Sequence, residues 1–241
     1  MQKNNELKIS LVIPAYNEEK YIGECLDCAI RNSKGKINEI IVVDNASTDK
    51  TSEIAISKQG IRVIKEERKG NAWARERGFR EASGDIIAFI DADTLMTENW
   101  PDIILCEFKN PKIVCLSGPY SYYDIPRWKK TFVNTYWILA MPIYFIVGYM
   151  AIGGNLAIRR VTLKKMGGIN TSISFYGDDT DIARRASKFG KVKFKYNFLI
   201  YSSARRLVKD GFFKTVYLYV INFFSQVFIH RPVTKEYKDI R

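Results

Sequence analysis

The feature that most constrains this chain is an alternation that repeats four times in its first 90 residues. Residues 8–13, 39–43, 62–65 and 85–90 are short runs rich in Ile and Val. The first three are each followed by a polar turn and then by apolar residues at helical spacing, over 18–32, 49–59 and 71–82. Strands alternating with helices predict an α/β fold, with a Rossmann-like, mostly parallel central sheet and helices on both faces. In such open sheets ligands bind beyond the carboxyl ends of the strands. Those ends carry Pro14-Ala15-Tyr16-Asn17-Glu18, Asp44-Asn45-Ala46-Ser47-Thr48-Asp49 and Asp91-Ala92-Asp93.

After residue 110 the pattern loosens. Strands are expected over 113–118, 157–159 and 192–196, and helices over 178–189 and 211–229. A chain of 241 residues can bury one large core. It reads as a single unit with a nucleotide-binding segment (1–110), an acceptor and catalytic segment (111–205) and a closing apolar, aromatic helix (206–241). Residues 131–158 carry no charge, a length that suffices for a bilayer span. Pro142 and the glycines at 148, 153 and 154 interrupt the run, which favours a buried or interfacial helix. The closing segment, beside Arg205, Arg206, Lys209 and Arg231, suits either a membrane interface or packing on the core.

Charge is divided unevenly. Residues 1–126 hold 17 basic and 20 acidic side chains, and 127–241 hold 21 and 6, giving −3 and +15. A polyanionic partner for the second half is implied: nucleic acid, an anionic membrane surface or a phosphate-bearing substrate. The four cysteines lie in apolar periodic segments and there is one histidine, His230, which argues for buried free thiols over disulfides or zinc. The charged first 20 residues hold no secretory signal, so the protein is expected in the cytoplasm.

Asp91 and Asp93 emerge at the tip of an apolar strand, where like charges repel unless a cation lies between them. Mg2+ or Mn2+ prefers such oxygen ligands together with substrate phosphates, although a helix cap gives the same letters. Asp44 precedes the capping residues of the second helix, leaving its carboxylate for a ligand N–H. Lys69-Gly70 and Arg75 supply positive charge near the start of the third helix, a place suited to phosphate. Asp178, Asp179 and Asp181 crowd one helix start. Their repulsion should raise at least one pKa and favour a general base.

Taken in order, Val12-Ile13-Pro14-Ala15-Tyr16-Asn17-Glu18, Val43-Asp44-Asn45-Ala46-Ser47-Thr48-Asp49, Lys69-Gly70 with Ala74-Arg75, Asp91-Ala92-Asp93, Gly154-Asn155 with Arg159-Arg160, and Gly177-Asp178-Asp179-Thr180-Asp181 resemble the motifs of family 2 glycosyltransferases. The resemblance covers residues 8 to about 190 and implies a GT-A fold and an inverting, metal-dependent transfer from a nucleotide sugar, with UDP favoured. It implies that Pro14, Ala15, Tyr16, Glu18, Asp44 and Asp91 hold the nucleotide, that Lys69 and Arg75 lie towards the donor, and that Asp93 with Asp91 binds Mg2+ or Mn2+. Asp179 falls at the catalytic base. Gly154, Asn155, Asp178, Arg205 and Arg206 are expected near the acceptor or diphosphate. Asp178 stands where the family usually has Glu.

The expected acceptor is a glycan or a polyprenyl-phosphate-linked molecule, met by a protein peripheral to the cytoplasmic face of the membrane. A nucleotidyltransferase is the first rival, but no glycine-rich basic loop lies near residue 15. A nucleic-acid-binding module is the second, and its recognised motifs are absent.

Overall fold

The structure is a computed structural model that describes residues 6–173 and 177–234. Phe175 and Tyr176, part of the last motif segment, lie outside the described residues.

In chain order the elements are β1 (Ile9–Ala15), α1 (Ile22–Ser33), β2 (Glu39–Asp44), α2 (Thr51–Ile56), β3 (Ile61–Lys65), α3 (Asn71–Glu81), β4 (Ile86–Ile90), β5 (Thr94–Met96), α4 (Trp100–Glu107), β6 (Ile113–Ser117), β7 (Tyr120–Tyr122), α5 (Arg127–Val147), β8 (Asn155–Arg159), α6 (Arg160–Lys165), α7 (Asp178–Ser187), β9 (Lys191–Phe194), β10 (Ile200–Ser202), α8 (Arg205–Lys209) and α9 (Phe212–Phe228). The main sheet has seven strands in the order β3-β2-β1-β4-β8-β6-β9. All are parallel except β8, which runs antiparallel to both neighbours. Because β8 sits between β4 and β6, the segments on either side of residue 110 share one sheet.

Alternation along β1 explains the layering. Ile9, Leu11 and Ile13 face a core shared with Ile22 and Leu26 of α1 and Trp100 and Ile104 of α4. Val12 faces the opposite core, with Phe79 of α3 and Ile182 of α7. Successive side chains of a strand point to opposite faces, so a continuous apolar run needs helices on both.

A second sheet of three short strands, β5-β10-β7, was not legible in the sequence. Strands of three residues carry too few alternations to show a period. The sheet lays the segments after β4, β6 and β9 side by side, and brings Tyr120, Tyr122, Ser202 and the start of α8 over the tip of β4.

The uncharged stretch resolves into α5, which ends at Gly148 in the left-handed region (φ 82°), followed by the turn into β8. Among the described residues no helix is long and apolar enough to cross a membrane. Helices α5 and α9 form a third core with β9, in which Val133, Trp137, Ala140 and Tyr144 meet Phe194, Leu207 and Phe223. Three cysteines are buried as expected. Cys106 is exposed instead, on the outward side of α4.

Candidate active site

The tips of β1 and β2 are level, with Ala15 opposite Asp44, and the loops beyond them are tied together. Thr48 N–H donates to Asn17 Oδ1 (2.8 Å), Glu18 N–H donates to Thr51 Oγ1 (2.7 Å), and Asn17 N–H donates to Ser47 Oγ (3.1 Å). Asn45 extends the tie to the third loop: its amide donates to the Glu66 and Arg68 carbonyls and accepts from Gly70 N–H. These bonds hold the first three strand-to-helix loops as one rigid rim.

Two adjoining cavities open at this rim. The smaller, about 120 Å³, is walled by Pro14, Glu18, Asp91, Asp93, Arg205 and Arg206, among others. The larger, about 290 Å³, has Arg75, Asp91, Gly153, Gly154, Asp178 and Asp179 at its polar end. Asp91, Tyr120, Tyr122 and Tyr219 line both.

Arg205 spans the smaller cavity. Its guanidinium contacts Glu18 (2.7 Å) and Asp93 (3.0 Å) and stacks on Tyr21. A cation thus already balances Asp93, which places Arg205 on the diphosphate side, one of its two expected positions, and away from the acceptor side. Arg206 lies on the same wall, 3.7 Å from Asp210.

Arg75 lies at the polar end of the larger cavity, beside Asp91, which lines both. It is 2% exposed, and its two terminal nitrogens reach Asp178 (2.5 Å) and Asp91 (3.2 Å). The expectation that Arg75 faces the donor is therefore corrected: a guanidinium enclosed by two carboxylates has little left for a phosphate. Asp178 is corrected likewise, being buried as the partner of Arg75 and not available to an acceptor. The Gly153-Gly154 pair has a steric reason. A Cβ on Gly153 would come within 2.5 Å of the Arg75 guanidinium, and one on Gly154 would collide with the Asp91 carboxylate and the Tyr120 hydroxyl.

Asp179 differs from its neighbours. It is half-buried on the wall of the larger cavity and accepts from Gly153 N–H (3.2 Å) and Thr180 N–H (2.7 Å). Burial, and then the Asp178 carboxylate beside it, raise its pKa to about 6 against the opposing pull of Arg75. Asp181, the third acid, is neutralised by Arg184 and Arg185, both at 2.7 Å.

Two further expectations change. Asn155 is fully buried and its amide is spent: it donates to the Pro119 and Phe198 carbonyls and accepts from Trp100 Nε1 (3.0 Å), leaving nothing for an acceptor. Asp44 is 4% exposed, and one of its oxygens accepts from Ser47 N–H (3.0 Å). One carboxylate oxygen therefore closes its own turn, and only the other is left for a ligand N–H. Lys69 rests against Tyr16, 3.3 Å from its hydroxyl and 5.1 Å above its ring. Tyr120, Tyr122 and Tyr219 were missed, because nothing in a lone tyrosine distinguishes a cavity wall from a core.

Asp91 and Asp93 fit a hard divalent cation. They offer carboxylate oxygens on adjoining walls, and the Asp91 side chain is 39% exposed. No cluster of three or more ligating side chains forms among the described residues, so substrate phosphates and water would complete the shell, as Mg2+ and Mn2+ sites commonly arrange.

A mostly parallel α/β sheet with acids at its strand tips and a second acid set across a glycine pair defines the GT-A architecture. The chain belongs to glycosyl transferase family 2, whose family model matches residues 10–167. It is 33% identical over 121 residues to the glycosyltransferase GlyG of Streptococcus pneumoniae serotype 4, covering 48% of this chain and 40% of that protein. It is 41% identical over 91 residues to the dolichol-phosphate mannosyltransferase of Pyrococcus furiosus, covering 36% and 26%. The chain thus spans less than half the length of these curated relatives. Among solved structures, the mannosyltransferase PcManGT from Pyrobaculum calidifontis, in complex with GDP-Man and Mn2+, superposes with a TM-score of 0.70 at 21% identity, covering 94% of this chain and 64% of that one.

Proposed function

We propose that this protein transfers a single sugar from a nucleoside-diphosphate sugar to an acceptor hydroxyl with inversion at the anomeric carbon. The observation that carries the proposal is the convergence of Asp91, Asp93 and Asp179 on two adjoining cavities that share Asp91, Tyr120, Tyr122 and Tyr219 as a common wall. The smaller, polar cavity at the strand tips suits a diphosphate, with Pro14, Arg205 and Arg206 on its wall.

Asp179 has the position and the pKa of a general base. With a pKa of about 6 it is ionised at neutral pH, yet basic enough to take a proton from a hydroxyl as that oxygen attacks. One base and one displacement invert the anomeric centre. Asp93 and Asp91 would hold Mn2+ or Mg2+, which when bound neutralises charge on the departing diphosphate. Arg205, released from Glu18 and Asp93, is long enough to place its guanidinium on the same diphosphate.

The acceptor we favour is a membrane-borne, lipid-linked glycan, met at the cytoplasmic face of an anionic membrane. The +15 charge of residues 127–241 supports this, as do the exposed Trp128 and Phe132 of α5 beside Arg127, Lys129 and Lys130, and the exposed Phe145 and Ile146 at the other end of that helix. The resemblance to a dolichol-phosphate mannosyltransferase points the same way.

The test is release of nucleoside diphosphate from a panel of UDP- and GDP-sugars with and without Mn2+, for the wild type and Asp179→Asn. The expected result is Mn2+-dependent release with one sugar, reduced about 10²- to 10⁴-fold in the variant while donor binding persists. Full activity in Asp179→Asn would remove Asp179 from the reaction.

A further inference from the structure

The larger cavity changes character away from Asp179. Beyond its polar end the walls are Val133, Trp137, Ala140 and Ile143 of α5 facing Val216, Val220, Phe223 and Phe224 of α9. From this geometry we infer that the α5–α9 cavity holds the hydrocarbon chain of an amphipathic acceptor, with its hydroxyl carried at the mouth, against Asp179. The inference rests on the transferase reading and names the part of the acceptor that this site recognises.

Three observations select a hydrocarbon over other occupants. First, the apolar walls offer almost no hydrogen-bonding partner. Asn222, a polar residue among them, has its amide engaged by the Leu218 carbonyl (2.8 Å) and by Thr234, through its hydroxyl (2.8 Å) and N–H (3.1 Å). A peptide or sugar placed there would leave polar groups unpaired in an apolar setting, which costs free energy for each group. Second, the cavity is continuous with the donor cavity through Asp91, Tyr120 and Tyr219, so its occupant reaches the reacting atoms. Third, among the described residues the mouth holds Asp91, Asp178 and Asp179 against the guanidinium of Arg75. That balance suits a neutral hydroxyl, which needs a base, better than an anionic phosphate. At about 290 Å³ the cavity lies near the lower end of small-molecule sites, about 300 to 1,000 Å³. It therefore holds the first part of a long chain.

The experiment measures calorimetric binding of methyl, hexyl, heptyl and octyl glucosides below their critical micelle concentrations, with octyl phosphate as the anionic arm. Sugar transfer from the nucleotide-sugar panel to the same glucosides is measured separately. The expected result is a Kd that falls about fourfold per added methylene, the effect of burying one such group, with octyl phosphate weaker than octyl glucoside. Val220→Trp on α9 and Ile143→Trp on α5, each filling the cavity from one side, should weaken octyl glucoside at least roughly tenfold, the loss of about two methylenes. The two sites are half-buried, and thermal unfolding checks that each variant folds, so either suffices if the other fails. A Kd independent of chain length, or unchanged in a folded tryptophan variant, overturns the assignment and indicates a cavity covered by protein. Tighter binding of octyl phosphate overturns the neutral-hydroxyl element. Chain-dependent binding with neither transfer nor Mn2+-dependent nucleoside-diphosphate release from any donor leaves the apolar site standing and removes the transferase reading. Transfer that ignores chain length does the reverse.

Discussion

The two acid groups of the site are built from the same residue type and behave differently. Asp91 and Asp93 stand at the end of β4, where the sheet stops and the cleft begins. The Asp91 side chain is 39% exposed, and Asp93 is matched by Arg205, which arrives from α8. Asp178, Asp179 and Asp181 open α7 on a buried face. Two of them are cancelled by arginines at 2.5–2.7 Å, and the third is left with two backbone N–H donors and a raised pKa. Asp91, which keeps access to solvent, and Asp93, which is buried but held by a long arginine that lines the cavity, can exchange a protein cation for a metal and phosphate. A carboxylate desolvated beside a like charge becomes a base. Environment, not identity, divides the roles.

Removing the residue that joins the two groups should have the largest effect. Arg75→Met leaves Asp91 and the buried Asp178 without their shared cation, and a loss of about 3–5 kcal/mol in urea unfolding is expected for a broken buried pair. A loss below about 1 kcal/mol would mean that the groups are independent. Asn155→Ala should cost about 1–3 kcal/mol by orphaning Trp100 Nε1 and two carbonyls. If transfer is assayed, the acceptor KM should stay near that of the wild type. A selective rise in KM would restore Asn155 to the acceptor site.

Arg205→Gln sharpens the strand-tip side of the comparison. Without its guanidinium, Asp93 should bind Mn2+ alone about tenfold more tightly in a calorimetric titration, the worth of one charge-assisted bond. Nucleoside-diphosphate affinity should fall.

The smallest effect is the pH response of Asp179. Since its folded pKa is raised to about 6, kcat/KM should be about tenfold below its plateau at pH 5 and level off above pH 7. The sign for stability is opposite. The folded state binds this proton more tightly than the unfolded chain, so ionised Asp179 is a burden that is absent below about pH 4 and complete above about pH 6. The Tm of Asp179→Asn relative to wild type should therefore rise across that window.

Much of the fold was legible because its first half obeys short-range rules. β1 to β4 announce themselves as apolar runs bounded by turns, and their observed limits fall within two residues of those read from the sequence. The second half was less readable. β8 runs against its neighbours, and the orientation of a strand of five residues is not written in its own letters. The strands β5, β7 and β10 are too short to show a period. At the site, Asp91, Asp93 and Asp179 were visible as acids at element ends. The meeting of Arg75 with Asp178 across 103 positions was not.

The sequence by itself determined the alternating α/β architecture and the set of acids available for chemistry, because hydrophobic periodicity and element-end residues are local properties. Only the tertiary structure decided which acid is free, which arginine is buried, and that α5 and α9 enclose an apolar cavity beside Asp179. Those depend on desolvation and on charges brought together from distant parts of the chain, and both exist only once the sheet has closed around them.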